Sequence, residues 1–154
     1  NFFAGLFHDL PEVLTRDIIS PVKRSVEGLE AIIKNIEQIQ FKERIVPLIP
    51  QTWHIEMAYF LDDEFQNKVI INDAVVLCTS QELNEQYNYD GCNPLDGGLI
   101  QACDQLAAYL EAALSIEYGM RAPELIKGKA QIYEKYAGTN ISGIDFKPYF
   151  DSLL

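Results

Sequence analysis

The chain has 154 residues, of which 48% are hydrophobic and 23% are charged, and its formal net charge is −11 at pH 7. This length and composition are sufficient for one globular domain with a buried core. The negative charge disfavours binding to DNA or RNA, whose phosphates it would repel, but it leaves open a small phosphorylated ligand held through metal ions.

Cysteine content and hydropathy indicate the compartment. The cysteines at positions 78, 92 and 103 are odd in number and form no C-x-x-C pair, so no disulfide framework is expected and a reducing compartment, the cytoplasm, is predicted. No apolar run approaches the roughly 18 residues of a membrane-spanning helix. Membrane insertion is therefore not expected.

The first third of the chain predicts helices. Asn1 to Phe7 is apolar, as in the interior of a helix, and we expect the domain to be N-terminally incomplete. Ser20 and Pro21 form an N-cap and first-turn pair for an amphipathic helix that runs to about Glu43. Its apolar residues recur at spacings of three and four: Val22, Val26, Leu29, Ile33 and Ile36. Pro47 and Pro50 end this pattern, and a shorter helix follows whose apolar, core-facing side is expected to carry Trp53, Met57, Phe60 and Leu61.

The middle of the chain is ambiguous. Val69 to Thr79 is rich in β-branched residues, yet Ile71, Val75 and Cys78 also fit one face of a helix, and the helix is favoured. Glu82 to Cys92 has the composition of a loop.

The last third again predicts helices. Asn93 and Pro94 begin a long helix that ends near Gly119 and carries Asp104 within an apolar stripe. This stripe consists of Leu95, Leu99, Ala102, Leu106, Leu110 and Ala113. Pro123 begins a further helix that ends at Gly138, and Asp145 is expected to cap a short terminal helix. The whole pattern predicts an all-α fold, a single domain over residues 1–154.

The segment HDLPEVLTRD, residues 8 to 17, concentrates groups that bind metals. In a helix, Glu12 lies four residues after His8 and three after Asp9, so its carboxylate projects from the same side as this pair. His8 and Asp9 themselves diverge by about 100°, so they can bind one metal only if it lies between their projections or if Asp9 bridges two metals. Imidazole with carboxylates suits Mn, Co, Fe, Zn or Mg ions. A nearby carboxylate that is not a ligand can accept a proton from water. The alternative is a solvated, capped helix end.

Residues 8 to 17, continuing through Ser20, Pro21, Val22 and Lys23, resemble the central motif of the HD-domain metal-dependent phosphohydrolases, in particular the branch with bacterial 5'-deoxynucleotidases. The resemblance implies an HD-domain-like helical bundle. It implies that His8 and Asp9 bind the divalent metal, that Glu12 helps to activate water, and that Asp17 shapes the phosphate end of the pocket. Arg16 and Lys23 would neutralise substrate phosphate, although basic residues near a helix start are often only solvated.

A second stretch carries the same resemblance. Residues 98 to 112, GLIQACDQLAAYLEA, are similar to the later helix that supplies the family's final aspartate ligand, which assigns that role to Asp104. The family has an earlier histidine ligand on a preceding helix, and no residue before His8 can supply it. We expect that ligand in a segment outside residues 1–154, and weak metal retention without it. His54 is the other candidate, but a partly buried structural histidine is favoured.

The predicted function is hydrolysis of a nucleotide phosphomonoester. The alternatives are a degenerate HD domain that senses nucleotides or binds partners without catalysis, a di-iron oxygenase, for which the chain has too few histidines, and a hydrolase of cyclic nucleotides or alarmones. Long apolar stripes are also compatible with a homodimer. Cys103 and Tyr109 are expected to pack in the core rather than to act in the site.

Overall fold

The computed structural model describes residues 1–15 and 27–152. Helices dominate these residues, and the strands are few and short, so the all-α prediction is confirmed. The chain divides into two compact units, Phe2–Glu64 and Phe65–Leu154, with Asn1 belonging to the second. Within the described ranges, none of the helices combines the length and apolarity that crossing a bilayer requires.

Within residues 2–15 and 27–64, the α-helices are α1 (Phe2–Phe7), α2 (Leu29–Gln40) and α3 (His54–Leu61). Helix α2 follows Gly28, which has φ of 78°, and continues into a π-helical turn, Phe41–Ile45. The predicted start of this helix at Ser20 and Pro21 lies outside the described residues. The predicted break is present, since a 3₁₀ turn, Val46–Leu48, is followed by extended backbone at Ile49.

The core of the first unit is small. Its buried side chains include Ala4, Ile33, Phe41, Met57 and Tyr59. Trp53 was expected in this core, but it is 55% exposed. That prediction was wrong because Trp53 lies in a 3₁₀ turn before α3 rather than within the helix.

The second unit begins with a β-hairpin. Strands β1 (Lys68–Ile71) and β2 (Ala74–Leu77) pair antiparallel, with Val69 opposite Val76. The helix predicted over Val69 to Thr79 was therefore wrong. The two residues between the strands, Asn72 and Asp73, have φ of 50° and 61°, which is the left-handed conformation of a tight hairpin turn and is incompatible with an α-helix.

The segment after the hairpin also differs from the prediction. Helix α4 (Ser80–Glu85) lies partly within the predicted loop Glu82 to Cys92. Thr79 and Glu82 cap it reciprocally: the Thr79 hydroxyl accepts from Glu82 N, and Glu82 Oε2 accepts from Thr79 N at 2.8 Å. This is the S/T-x-x-E capping box, a signal that the sequence contains.

Helix α5 (Gly97–Glu117) starts three residues later than predicted from Asn93 and Pro94. Asn93 has φ of 45°, and Leu95 exchanges backbone hydrogen bonds with Lys68, so these residues are not helical. Asp96 is the actual cap, because its carboxylate accepts from Leu99 N at 2.9 Å. A Cβ on Gly97 would lie 2.3 Å from the Phe65 backbone carbon, so only glycine allows this close approach.

The core of the second unit lies between α5, α6 (Pro123–Tyr136) and α7 (Lys147–Asp151). Tyr109 packs edge-on against Phe150, with ring centroids 4.9 Å apart, which confirms that Tyr109 is a packing residue. The start of α6 at Pro123 is as predicted. Asp145 was expected to cap α7, but the N-cap is Phe146; the Asp145 carboxylate instead accepts a hydrogen bond from Lys147 N at 3.0 Å from the position before the cap.

Candidate metal centre

His8 lies directly after α1, and its ring orientation is fixed by that helix. Its backbone N–H donates to Ala4 O at 2.9 Å, while Nδ1 donates to the carbonyl oxygen of Gly5 at 2.8 Å. A carbonyl oxygen can only accept, so the proton is on Nδ1. This arrangement leaves Nε2 as the ring atom that can bind a metal, and a hydrogen bond of this kind commonly orients ligand histidines.

Asp9 faces the same ring nitrogen. Its Oδ2 lies 3.2 Å from His8 Nε2, and the His8 side chain is 14% exposed whereas that of Asp9 is 65% exposed. Each residue can offer one ligand atom to a cation. This mixed nitrogen and oxygen pair fits a divalent ion of the Mn, Co, Fe, Zn or Mg type better than a metal that prefers thiolates.

Glu12 is half-buried on a 3₁₀ turn, Leu10–Leu14, that begins after Asp9. One continuous α-helix from His8 to Glu12 was expected, and that expectation is wrong. Pro11 has no N–H and its ring would clash with the carbonyl four residues earlier, so an α-helix cannot continue through it. A 3₁₀ turn has about three residues per turn, so Asp9 and Glu12 still share one side of the chain.

Asp104 is in the second unit, in the middle of α5. It is half-buried, and its Oδ2 accepts a hydrogen bond from Gln105 Nε2 at 3.1 Å. At about 100° per residue, Asp104 lies on the side of α5 that carries the buried Ile100, opposite Ala102 and Tyr109. The predicted apolar stripe, with Leu99, Ala102 and Leu106, lies on one side of α5, so Asp104 is not within that stripe as predicted but on a different side of the helix.

The structure describes only some of the remaining residues that the sequence singled out. Arg16, Asp17 and Lys23 lie outside the described residues. His54 is half-buried, and its Nε2 donates to Ile49 O across 3.2 Å, as expected of a structural histidine. Cys103 was predicted to be in the core, but it is exposed, because it is on neither of the two buried faces of α5.

Sequence reasoning missed three buried polar side chains in the described residues. Glu37 is 8% exposed, Lys68 is 2% exposed and Asp96 is 4% exposed. Asp96 accepts hydrogen bonds from Leu99 N and the Ser142 hydroxyl. For Lys68 and Asp96 the sequence offers only weak signals: Lys68 is the first residue of β1, and Asp96 precedes a Gly-Gly pair. Glu37 has no such signal, because it resembles any polar residue of an amphipathic helix.

Comparison with known proteins gives the family of this chain. The HD domain profile matches residues 1–133. This chain belongs to the HD domain family. The match covers parts of both compact units, and divalent-metal binding is typical of HD domains.

A curated relative of this HD-domain chain is a 5'-deoxynucleotidase from Photobacterium profundum. The two sequences are 31% identical over 87 residues, which is 54% of this chain and 44% of the relative. The chain thus matches less than half the length of that protein. No solved structure matches the chain.

Proposed function

We propose that this HD domain is a divalent-metal-dependent phosphohydrolase that acts on nucleotide phosphomonoesters. The observation that carries the proposal is the pairing of His8 and Asp9: Nδ1 of the ring is engaged by Gly5 O, and Nε2 lies 3.2 Å from the Asp9 carboxylate. Family membership and the similarity to a 5'-deoxynucleotidase support the reaction class and the substrate class. We further propose that residues 1–154 belong to a single HD-type domain and that the protein acts in the cytoplasm, in keeping with three free cysteines.

In this proposal, His8, Asp9 and Asp104 hold the metal. When bound there, a divalent ion would supply Lewis-acid chemistry that polarises a phosphoryl oxygen and makes water easier to deprotonate. Glu12 accepts the proton of the attacking water and is held for this task on the turn after Asp9.

The substrate phosphate is bound by residues that follow the turn. Arg16 and Lys23 place positive charge on the phosphate, Arg16 by paired N–H donors and Lys23 as a point charge. Asp17 organises the phosphate end of the pocket. The acidic balance of the chain makes these cations important, because the surrounding charge repels an anionic substrate.

The test measures bound metal and phosphate release in the complete protein. Asp104→Asn removes one proposed ligand charge, and Cys103→Ser changes the exposed neighbouring residue as a matched control. We expect elemental analysis to find metal in the wild type and in Cys103→Ser, with Asp104→Asn losing at least about tenfold in metal affinity. Phosphate release from a panel of deoxyribonucleoside and ribonucleoside monophosphates should fall in parallel.

Two results would contradict the proposal. Equal metal content and turnover in Asp104→Asn and Cys103→Ser would remove Asp104 from the ligand set. A wild-type protein with neither metal nor phosphatase activity would instead favour the degenerate domain that binds nucleotides without hydrolysing them.

A further inference from the structure

A buried carboxylate lies in the first unit outside the proposed ligand set. Glu37 is on α2 between Ile33 and Phe41, at intervals of four residues, and all three side chains are at most 8% exposed. Glutamate is rarely so buried. Moving a carboxylate out of water costs several kcal/mol unless it gains partners. An apolar side chain at this position would therefore give a more stable fold, so stability does not account for the glutamate.

Glu37 bonds to the turn that carries Glu12. The Thr15 hydroxyl donates to Glu37 Oε1 at 2.8 Å, joining residues that are 22 positions apart. The same hydroxyl is 3.3 Å from Glu12 O, and its single proton favours the shorter bond, to a charged acceptor. The carboxylate therefore determines where the Thr15 side chain points.

Thr15 in turn fixes the backbone of Glu12. Thr15 caps the 3₁₀ turn Leu10–Leu14, and its N–H donates to Glu12 O at 3.1 Å. At the other end of the turn, Glu12 N donates to Asp9 O at 2.9 Å. The backbone of Glu12 is thus held from both sides, and the Thr15 side is anchored to α2 through the Glu37 carboxylate.

We infer that Glu37 is a positioning residue, which sets the place of the Glu12 carboxylate through Thr15. The inference rests on the proposed function, in which Glu12 takes the proton of the attacking water. A shift of the turn would misplace this base. Loss of the Glu37–Thr15 bond should therefore lower kcat with little change in KM, because an interaction needed only in the transition state is weakened.

The experiment uses two removals and two matched conservative variants in the complete protein. Glu37→Leu removes the acceptor but keeps an apolar side chain of similar volume, and Thr15→Val removes the donor. Glu37→Gln and Thr15→Ser each retain the hydrogen bond. We expect kcat on a deoxyribonucleoside monophosphate with Mn²⁺ to fall about 10- to 100-fold in both removals, as for other supporting residues of metal sites, and to stay within about threefold of wild type in both conservative variants.

Stability and metal affinity separate positioning from a structural role. Thr15→Val leaves a buried carboxylate without its donor and should lower Tm, whereas the Glu37→Leu/Thr15→Val double variant should regain Tm but not kcat. Mn²⁺ affinity, measured by titration calorimetry, should remain within about threefold of wild type in all variants. Lys34→Ala, at an exposed position of the same helix, is the control and should change neither kcat nor Mn²⁺ affinity.

The possible failures are distinguishable. A wild-type protein without phosphate release would overturn the proposed function itself. If the wild type is active and both removals keep its kcat, the positioning role is wrong while the function stands. A decrease of kcat that recovers together with Tm in the double variant would show that the bond acts through stability alone.

Discussion

Tyrosine hydroxyls in the second unit differ in whether they have a hydrogen-bond partner. Tyr109 is 1% exposed and Tyr136 is 4% exposed, and neither hydroxyl has a hydrogen-bond partner among the described residues. Tyr133, by contrast, donates its hydroxyl to Asp151 at 2.7 Å. Burial, followed by the neighbouring Tyr133 and Asp151, raises the pKa of Tyr109. Its hydroxyl therefore keeps its proton at neutral pH and still needs an acceptor.

Tyr109→Phe should stabilise the protein. A buried polar group without a partner costs about 1–3 kcal/mol, and the substitution removes that group while keeping the ring contact with Phe150. We expect the free energy of unfolding to rise by about 1 kcal/mol in urea denaturation. Tyr133→Phe is the matched control and should lower it, because Asp151 loses a donor. A decrease in Tyr109→Phe would indicate that an internal water bonds to the hydroxyl.

At the candidate site, the sequence reveals local patterns and misses distant ones. His8, Asp9 and Glu12 stand out because their spacing carries the chemistry within five residues. Glu37 does not, since its bond to Thr15 spans 22 positions and an isolated glutamate on a helix looks solvated. The placement of Asp104 came from resemblance, and no pattern in the sequence indicated that α5 has two inward faces.

At the scale of elements, helices with clear caps were predictable and the hairpin was not. Pro123 marks the start of α6 as expected. In Val69 to Thr79, apolar residues fit both a helical and an alternating pattern, and periodicity does not separate short segments of this kind. The deciding feature is the pair Asn72 and Asp73, which adopts positive φ, a conformation that these residue types tolerate better than most.

The capping box of α4 predicts a dependence of stability on pH. Hydrogen bonds from the Thr79 backbone, and then from its side chain, lower the pKa of Glu82 below its ordinary value of 4.5. A carboxylate with a depressed pKa in the folded state contributes stability above the unfolded pKa, and the contribution is lost as pH falls through the folded pKa. Wild type should therefore exceed Glu82→Gln in unfolding free energy by a constant amount above about pH 4.5.

This difference should shrink below that pH. Unfolding in urea at pH 7, 5, 4 and 3 measures it, because the glutamine of the variant does not titrate. Thr79→Ala, which removes the hydroxyl half of the box, should reduce the pH-dependent part. A difference between wild type and Glu82→Gln that is equal at pH 7 and pH 3 would show that the carboxylate is not bonded to Thr79 in solution.

At the scale of the whole molecule, charge opposes the proposed substrate. The chain has 23 acidic residues against 12 basic ones, and a nucleoside monophosphate is itself an anion. The repulsion acts over the Debye length, which is about 30 Å at 0.01 M salt and about 8 Å at 0.15 M. Close contacts to a metal or to an arginine are screened much less. Salt should therefore weaken the long-range repulsion more than the short-range attraction.

We accordingly expect kcat/KM for a nucleoside monophosphate to rise about two- to fivefold between 0.01 M and 0.15 M salt, the opposite of an enzyme that steers anions towards its site. Reversing two exposed charges in the second unit, Glu111→Lys and Glu134→Lys, provides the comparison. The reversed protein should have higher kcat/KM at low salt and a flatter salt dependence, with kcat unchanged because the reacting groups are the same. A wild-type kcat/KM that falls steadily with salt would mean that local cations dominate the approach of the substrate despite the net charge.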